Sequence, residues 1–285
     1  MTESPLRASF YTLGCRLNQA ETSLISNGFR QRGYDVVDFG EIADVCVINS
    51  CTVTEQADAK CRHLVRQVLR RNPETYVAIV GCYAQTGFQV LEQIEGLDLI
   101  VGNAEKMRVV DYIGDEPLKT AEPRVVRPRI PRQAFTVEPA EGRADTTRAN
   151  LKIQDGCDFM CSFCVIPMAR GRARSRDFAD LRREAEGLIA AGHRELVLTG
   201  VNIGTYEHEG RGFLDVVEML CALDGIERVR ISSIEPTTIG DELLERMASS
   251  DVLCPHLHLP LQSGSDSVLT RMRRKYGIGD FMSYV

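Results

Sequence analysis

Short apolar runs alternate with longer stretches of helical periodicity through the first 113 residues. Ala8 to Leu13, Val45 to Asn49, Tyr76 to Val80 and Leu97 to Val101 predict strands. Gln19 to Arg32 and Glu55 to Arg71 predict helices, the second stopped by Asn72-Pro73. Strands alternating with helices build a parallel sheet, so residues 1–113 are expected to form an open parallel α/β domain. From 114 to 149 the pattern breaks down. Pro117, Pro123, Pro128, Pro131 and Pro139 interrupt any long helix, which predicts an extended Pro-rich linker with short strands around Arg124 to Val126 and Ala134 to Val137. The βα pattern resumes over 150–285. Leu151 to Ile153, Leu196 to Leu198, Val229 to Ser232 and Leu257 to Leu261 predict strands. Leu181 to Ala191, Leu214 to Leu223 and Asp241 to Ala248 predict helices.

Three cysteines sit at one repeated address in the first domain. Cys15, Cys51 and Cys82 each follow a predicted strand at Gly14-Cys15, Ser50-Cys51 and Gly81-Cys82. In a parallel sheet the carboxyl ends of strands share one edge, where open α/β domains gather ligands. Three separate loops can therefore bring these thiols together. Small buried residues capping three strands are the alternative reading. A second group is contiguous: Gly156 to Cys164 places Cys157, Cys161 and Cys164 in a C-x3-C-x2-C run. Thiolates are the usual iron–sulfur ligands, and three of them leave one iron of a cubane open. Structural zinc takes four ligands, commonly from paired C-x2-4-C units, and no second such pair is present. A redox pair formed by Cys161 and Cys164 leaves Cys157 unexplained. Cys46, Cys61, Cys221 and Cys254 lie in apolar or helical patterns and read as packing residues.

Composition narrows the setting. The 285 residues contain ten cysteines, yet no apolar h-region follows Met1 and no apolar run approaches about 18 residues. Cysteines without an export signal read as metal ligands in a reducing compartment, so a cytoplasmic protein with no membrane span is expected. A net charge of −6 argues against a generally adhesive nucleic-acid binder, although local basic patches can still meet phosphate. Three such patches exist: the stripe Arg62, Arg66 and Arg70; the run Arg170, Arg172, Arg174 and Arg176; and the run Arg271, Arg273, Arg274 and Lys275. The second is the strongest nucleic-acid candidate because it follows the cysteine loop directly.

The C-x3-C-x2-C loop, with aromatic Phe163 before its last cysteine, resembles the cluster motif of radical S-adenosylmethionine (SAM) enzymes. The stretches Thr12 to Thr22, Asn49 to Thr54 and Val80 to Gln85 resemble the N-terminal domain of one branch of that family, the methylthiotransferases. The resemblance implies two [4Fe-4S] clusters, one on Cys157, Cys161 and Cys164 that binds and cleaves SAM, and an auxiliary one on Cys15, Cys51 and Cys82 that holds the sulfur to be transferred. It also implies a partial (βα)6 barrel for the second domain, here with about four units, and hence a C-terminally truncated chain lacking the usual RNA-binding TRAM domain. Phe163, Gly200, Asn202, Ser233, Glu235 and Gln262 are the cofactor-pocket candidates, the last five at predicted strand ends, where turn and cap roles are the alternative. His258 reads as a pocket residue or a satisfied core histidine, and His256 as the latter. Arg170, Gly171, Ser175 and Arg176 match the family segment R-G-x-x-x-S-R.

Within the family, Thr12 to Thr22, Arg174 to Asp177 and Met272 to Tyr276 look most like the branch that methylthiolates C2 of N6-threonylcarbamoyladenosine-37 in tRNA. Isopentenyladenosine in tRNA or an aspartate of a ribosomal protein are the alternative substrates. The implied partners are tRNA, a reducing electron donor and a sulfur donor. Two further readings stand beside these: a different radical enzyme with structural N-terminal cysteines, and a noncatalytic iron–sulfur electron carrier or scaffold.

Overall fold

The computed structural model describes residues 4–138 and 146–284. Pro139, one of the prolines behind the expected linker, lies outside the described residues, as do Met1 to Glu3. The chain divides into two compact units, residues 4–131 with 168–170, and residues 132–167 with 171–284.

The first unit runs β1 (Arg7–Thr12), α1 (Arg16–Gln31), β2 (Asp35–Val37), β3 (Val45–Ser50), α2 (Glu55–Arg71), β4 (Tyr76–Gly81), α3 (Cys82–Thr86), α4 (Phe88–Leu91), β5 (Leu99–Val101), α5 (Val109–Ile113) and β6 (Arg124–Val126). Its six strands pair in parallel in the order β2-β1-β3-β4-β5-β6. A parallel sheet buried on both faces must be apolar on both, and β3 and β4 are buried at every position. Alternate residues feed opposite cores. Cys46, Ile48, Val77 and Ile79 pack with Cys61, Leu64 and Val65 of α2, while Val45, Val47, Ala78 and Val80 pack with Ile25 and Phe29 of α1. Each fully buried aliphatic or aromatic side chain here stabilises the fold by about 1.5–3 kcal/mol. Cys46 and Cys61 are therefore core residues, their thiols pushed up to about 12 by burial. Helix α2 begins where Thr54 accepts from the Ala57 N–H at 3.1 Å.

Strand β6 revises the expected linker. Arg124 to Val126 pairs with Leu99 to Val101, so part of 114–149 completes the first unit's sheet. The short strand expected at Ala134 to Val137 is reduced to a single parallel bridge between Phe135 and Arg176.

The second unit contains β7 (Arg148–Lys152), β8 (Gln154–Asp155), β9 (Arg174–Ser175), α7 (Phe178–Ala191), β10 (Glu195–Thr199), β11 (Glu207–His208), β12 (Arg211–Gly212), α8 (Phe213–Cys221), β13 (Arg228–Ile231), α9 (Asp241–Ser249), α10 (Asp266–Arg271) and α11 (Ile278–Ser283). A short helix, α6 (Ile166–Arg170), follows the cysteine loop, its residues 168–170 belonging to the first unit. Strands β7, β10 and β13 are parallel neighbours in chain order, the step expected of a barrel wall. Helices α7 and α8 cover them through Leu181, Ala185, Leu188, Val216, Val217 and Leu220. The strand expected at Leu257 to Leu261 does not form. Only the isolated bridges Val229 to Leu253 and Ser233 to His258 continue the sheet, because Pro255 and Pro260 carry no N–H for a ladder.

Glu195 fastens the amino-terminal end of this sheet. It starts β10 opposite Arg148 of β7 and Arg228 of β13, and accepts from Arg230 at 2.7 Å, Arg148 at 2.9 Å and Arg228 at 3.1 Å. Burial opposes ionisation, but these hydrogen bonds outweigh it and hold the carboxyl at about 2 rather than 4.5. The resulting stability is fully present above the unfolded-state value and is lost as pH falls through the folded one. Because Arg148 and Arg228 are 51% and 42% exposed, solvent screening limits the effect to about 1–2 kcal/mol. Acid titration of unfolding should show this loss between pH 4.5 and 2, and Glu195→Gln should flatten it; an unchanged profile would dismiss the cluster as a stabilising element.

Candidate functional site

Three adjacent strands of the first unit end in cysteines. Thr12, Asn49 and Val80 are register partners across β1, β3 and β4, and Cys15, Cys51 and Cys82 follow within three residues of each. The parallel register therefore delivers all three thiols to one sheet edge. Cys15 caps the amino end of α1 and is exposed, while Cys51 and Cys82 are buried. Gly14 has φ +97°, and a Cβ there would meet Cys51 Sγ at 2.8 Å. Only glycine lets the two loops approach this closely. Burial raises the Cys51 pKa, the Val53 N–H lowers it, Cys82 and Cys15 raise it by repulsion, and Arg170 lowers it.

Asn18 organises this edge. Its Nδ2 donates to the Leu13 carbonyl at 2.6 Å and the Ser50 carbonyl at 3.1 Å, and its Oδ1 accepts from Arg170 at 2.5 Å and faces Cys15 Sγ at 3.8 Å. Asn103 Nδ2 donates to Cys82 Sγ at 3.6 Å and the Ala169 carbonyl at 2.6 Å. Behind Asn18 lies Glu21, fully buried, paired with Lys106 at 2.5 Å and Arg170 at 3.0 Å.

In the second unit, the cysteine loop leaves and re-enters through β8 and β9, which pair antiparallel. Asp155 braces this neck by binding Lys152 at 2.7 Å, Arg174 at 3.2 Å and the Gly156 N–H at 2.9 Å. Gly156, at φ +71°, passes so near the returning chain that a Cβ would lie 2.0 Å from the Arg172 carbonyl oxygen. Burial raises the Cys157 pKa; the Phe159 N–H lowers it, Cys164 and Cys161 raise it, and Asn202 lowers it by hydrogen bonding. Cys161 Sγ accepts from Arg274 at 3.3 Å. Each triad thus holds its thiols within electrostatic reach of one another. The donor sets fit iron–sulfur clusters with one iron free. Among the described residues no group of three His, Cys, Asp or Glu converges tightly enough for a metal ion. A cubane assigns each thiolate to a different iron, so its ligands need not meet on a single ion.

The remaining candidates are placed unevenly. Asn202 is buried, its Oδ1 without a partner among the described residues. Gly200 packs where a Cβ would sit 2.7 Å from Ile203 and 3.0 Å from the Gln154 carbonyl. Phe163 is 54% exposed, Ser233 bonds His258 Nδ1 at 2.6 Å, Glu235 pairs with Arg274, and Gln262 is exposed at φ +65°. His256 is exposed rather than packed, since Pro255 precedes it outside any strand. The arginine run is mostly withdrawn from phosphate. Arg170 is bound by Glu21 and Asn18, Arg174 by Asp155, and Arg176 by Asp180 at 2.6 Å and by Glu184, all buried; only Arg172 is exposed, beside Asp158 at 3.3 Å. A buried guanidinium is retained by its partners, not by solvent-side ligands.

Comparison with known proteins agrees with this layout. Residues 7–102 match the model of Uncharacterized protein family UPF0004, and residues 151–283 that of the Radical SAM superfamily. The threonylcarbamoyladenosine tRNA methylthiotransferase MtaB of Bacillus subtilis is 41% identical over 281 residues, covering 94% of this chain and 60% of that protein. Its namesake from Aquifex aeolicus is 40% identical, covering 95% and 66%. The chain belongs to the radical SAM methylthiotransferase family. A tRNA-2-methylthio-N(6)-dimethylallyladenosine synthase of Acidithiobacillus ferrooxidans is more distant at 34% identity, covering 96% and 63%. The chain thus spans 60–66% of the length of the relatives it matches. In fold it resembles the radical SAM methyltransferase TsrM from Kitasatospora setae, with TM-score 0.66 at 13% identity over 97% of this chain and 64% of that one.

Several supporting residues of this family member were missed in the sequence. Gln154 accepts from the Val201 and Asn202 N–H groups at 2.9 Å and donates to the Gly156 carbonyl at 2.9 Å, joining the β10 loop to the cysteine loop. Its place two residues before Gly156 was the only available signal. Asn18, Glu21 and Asn103 resemble ordinary helix or loop polar residues until folded.

Two pairs of substitutions test this packing. Gly156→Ala should lower stability by about 2–4 kcal/mol in denaturant unfolding, whereas Gly187→Ala, within α7 with nothing within 4 Å, should raise it by up to about 1 kcal/mol; equal effects would refute the close approach. Arg170→Ala should cost about 3–5 kcal/mol by stranding buried Glu21 with reduced compensation, and Arg172→Ala less than about 0.5 kcal/mol; reversed magnitudes in the same assay would reject the burial argument.

Proposed function

We propose that this chain is the catalytic part of a cytoplasmic enzyme that methylthiolates C2 of N6-threonylcarbamoyladenosine-37 in tRNA. The observation that carries the reading is the pairing of a three-thiol strand-edge site with a separate C-x3-C-x2-C loop in one chain. The choice of base is supported by greater identity to the threonylcarbamoyladenosine enzymes, 40–41%, than to the dimethylallyladenosine enzyme, 34%.

Cys15, Cys51 and Cys82 would hold one [4Fe-4S] cluster, and Cys157, Cys161 and Cys164 another. When bound and reduced, an open-iron cluster of the second kind supplies the electron that splits the SAM sulfonium. The chain's own part is binding and orientation. Asn202 offers a buried acceptor, Oδ1, to a cofactor amino group, and Gly200 keeps the strand-end loop low enough for close approach. Phe163 offers an exposed aromatic face, Ser233 and Glu235 follow β13, and Gln262 lies in the loop after the Ser233–His258 bridge. Among the proposed RNA contacts, the exposed Arg66 and Arg70 of α2 replace the buried arginines, and Arg172 remains. A reducing electron donor and a sulfur donor complete the partners. Among the described residues no helix is long and apolar enough to cross a membrane.

The test is anaerobic reconstitution with iron and sulfide, followed by assays for bound iron, 5′-deoxyadenosine and methylthiolated tRNA. The wild type should bind about eight irons and a Cys15/Cys51/Cys82→Ala variant about four. Cys161→Ala should form no 5′-deoxyadenosine. Persistence of that product in an iron-replete Cys161→Ala protein, or undiminished iron in the triple variant, would sink the assignment.

A further inference from the structure

Arg271, Arg273 and Lys275 are exposed, as a solvated basic run should be, but Arg274 between them is not. Its side chain is 6% exposed. Residue 273, at φ +57°, turns the chain, and the Arg274 N–H bonds the Leu269 carbonyl at 3.0 Å. The guanidinium then reaches three partners: Cys161 Sγ at 3.3 Å, Tyr276 Oη at 3.3 Å and the Glu235 carboxylate. Tyr276 is buried, and its hydroxyl donates to the carbonyls of Pro260 and of Leu261, the latter at 3.1 Å. Ser162, next to Cys161, donates from its N–H to the Met272 carbonyl at 3.1 Å and from its hydroxyl to the Arg271 carbonyl at 2.8 Å. The segment 271–276 is therefore fastened to the cysteine loop at Ser162 and at the neighbouring sulfur.

A guanidinium cannot give up its proton in a protein, so this contact is a permanent positive charge donating a hydrogen bond to one ligand sulfur. Hydrogen bonds to ligand sulfurs, net charge and burial set iron–sulfur potentials, and such outer partners tune a metal site without touching the metal. Reduction adds one negative charge to the cluster. A desolvated cation beside Cys161 stabilises the reduced form, and the Glu235 carboxylate paired with the same guanidinium opposes it. We infer that Arg274 is a positioning residue that raises the reduction potential of the cluster held by Cys157, Cys161 and Cys164, with Glu235 setting the extent. The inference rests on the cluster assignment proposed above.

A reductive titration of reconstituted protein, read by the electron paramagnetic resonance signal that SAM perturbs, tests it. At the wild-type midpoint, Arg274→Gln should cut the ratio of reduced to oxidised cluster about tenfold, a shift of about 59 mV to lower potential for one electron. Glu235→Gln should move the midpoint the opposite way. A purely structural Arg274–Glu235 pair predicts no such opposed signs, so unchanged midpoints, or shifts in one direction, in iron-replete variants overturn the inference. Should Arg274→Gln lose its cluster, Glu235→Gln decides alone, and absence of a positive shift rejects the idea. A wild type with no SAM-responsive signal overturns the cluster assignment itself, a result distinct from unchanged potentials in cluster-bearing variants.

Discussion

Parallel, in-register pairing of β1, β3 and β4 is the constraint on which the first unit depends. Because Thr12, Asn49 and Val80 align, the residues that follow must leave the sheet at one level. A slip of one residue would exchange the two faces of β3 and β4, moving Ile48 and Ile79 from the α2 core toward the α1 core. Both cores would then be misfilled, and the cysteine loops would leave at different heights. The same apolar packing that stabilises the sheet therefore fixes where the thiols emerge.

Polar groups finish what the register begins. Ser50 Oγ donates to the Val80 carbonyl at 2.6 Å and accepts from the Tyr83 N–H at 3.1 Å, joining the end of β3 to the start of α3. Asn49 donates to the Asn18 carbonyl at 3.0 Å, while the Asn18 amide holds the loops after β1 and β3. Glu21 beneath them is costly to bury, since each desolvated charge carries a penalty of several kcal/mol. Two cations share this carboxylate close to Cys51; burial raises that thiol's pKa, and Arg170 opposes the rise.

The sequence was legible where one local rule acted alone. Helix α2 runs from Glu55 to Arg71 as its periodicity predicts, and Thr54 and Asn72-Pro73 mark its ends. The strands before all three N-terminal cysteines were readable from apolar runs. Strand β2 was missed because three residues carry too little pattern, and the partner that makes β6 a sheet strand, Leu99 to Val101, is remote in sequence. Leu257 to Leu261 looked like a strand by alternation, yet prolines at 255 and 260 withhold the donors a ladder needs. Charge was the least legible property. Arg170, Arg174 and Arg176 resemble a phosphate-binding run because Glu21 and Asp155 are remote from it in sequence, and the nearby Asp180 and Glu184 of α7 meet Arg176 only once the helix packs.

The two thiol triads are built by opposite means, and this separates their dependence on folding. Cys157, Cys161 and Cys164 lie within eight residues, so bringing them together closes only a short loop. Their geometry is set by the β8–β9 neck, by Gly156, and by the contacts that 271–276 makes with Ser162 and Cys161. Cys15, Cys51 and Cys82 span 68 residues and meet only after two parallel pairings, each requiring a helical crossover, have formed. Non-local pairing of this kind carries its chain-entropy cost before any contact repays it. The N-terminal triad is therefore a property of the assembled sheet, whereas the loop triad is a local motif whose surroundings, rather than whose existence, depend on the fold.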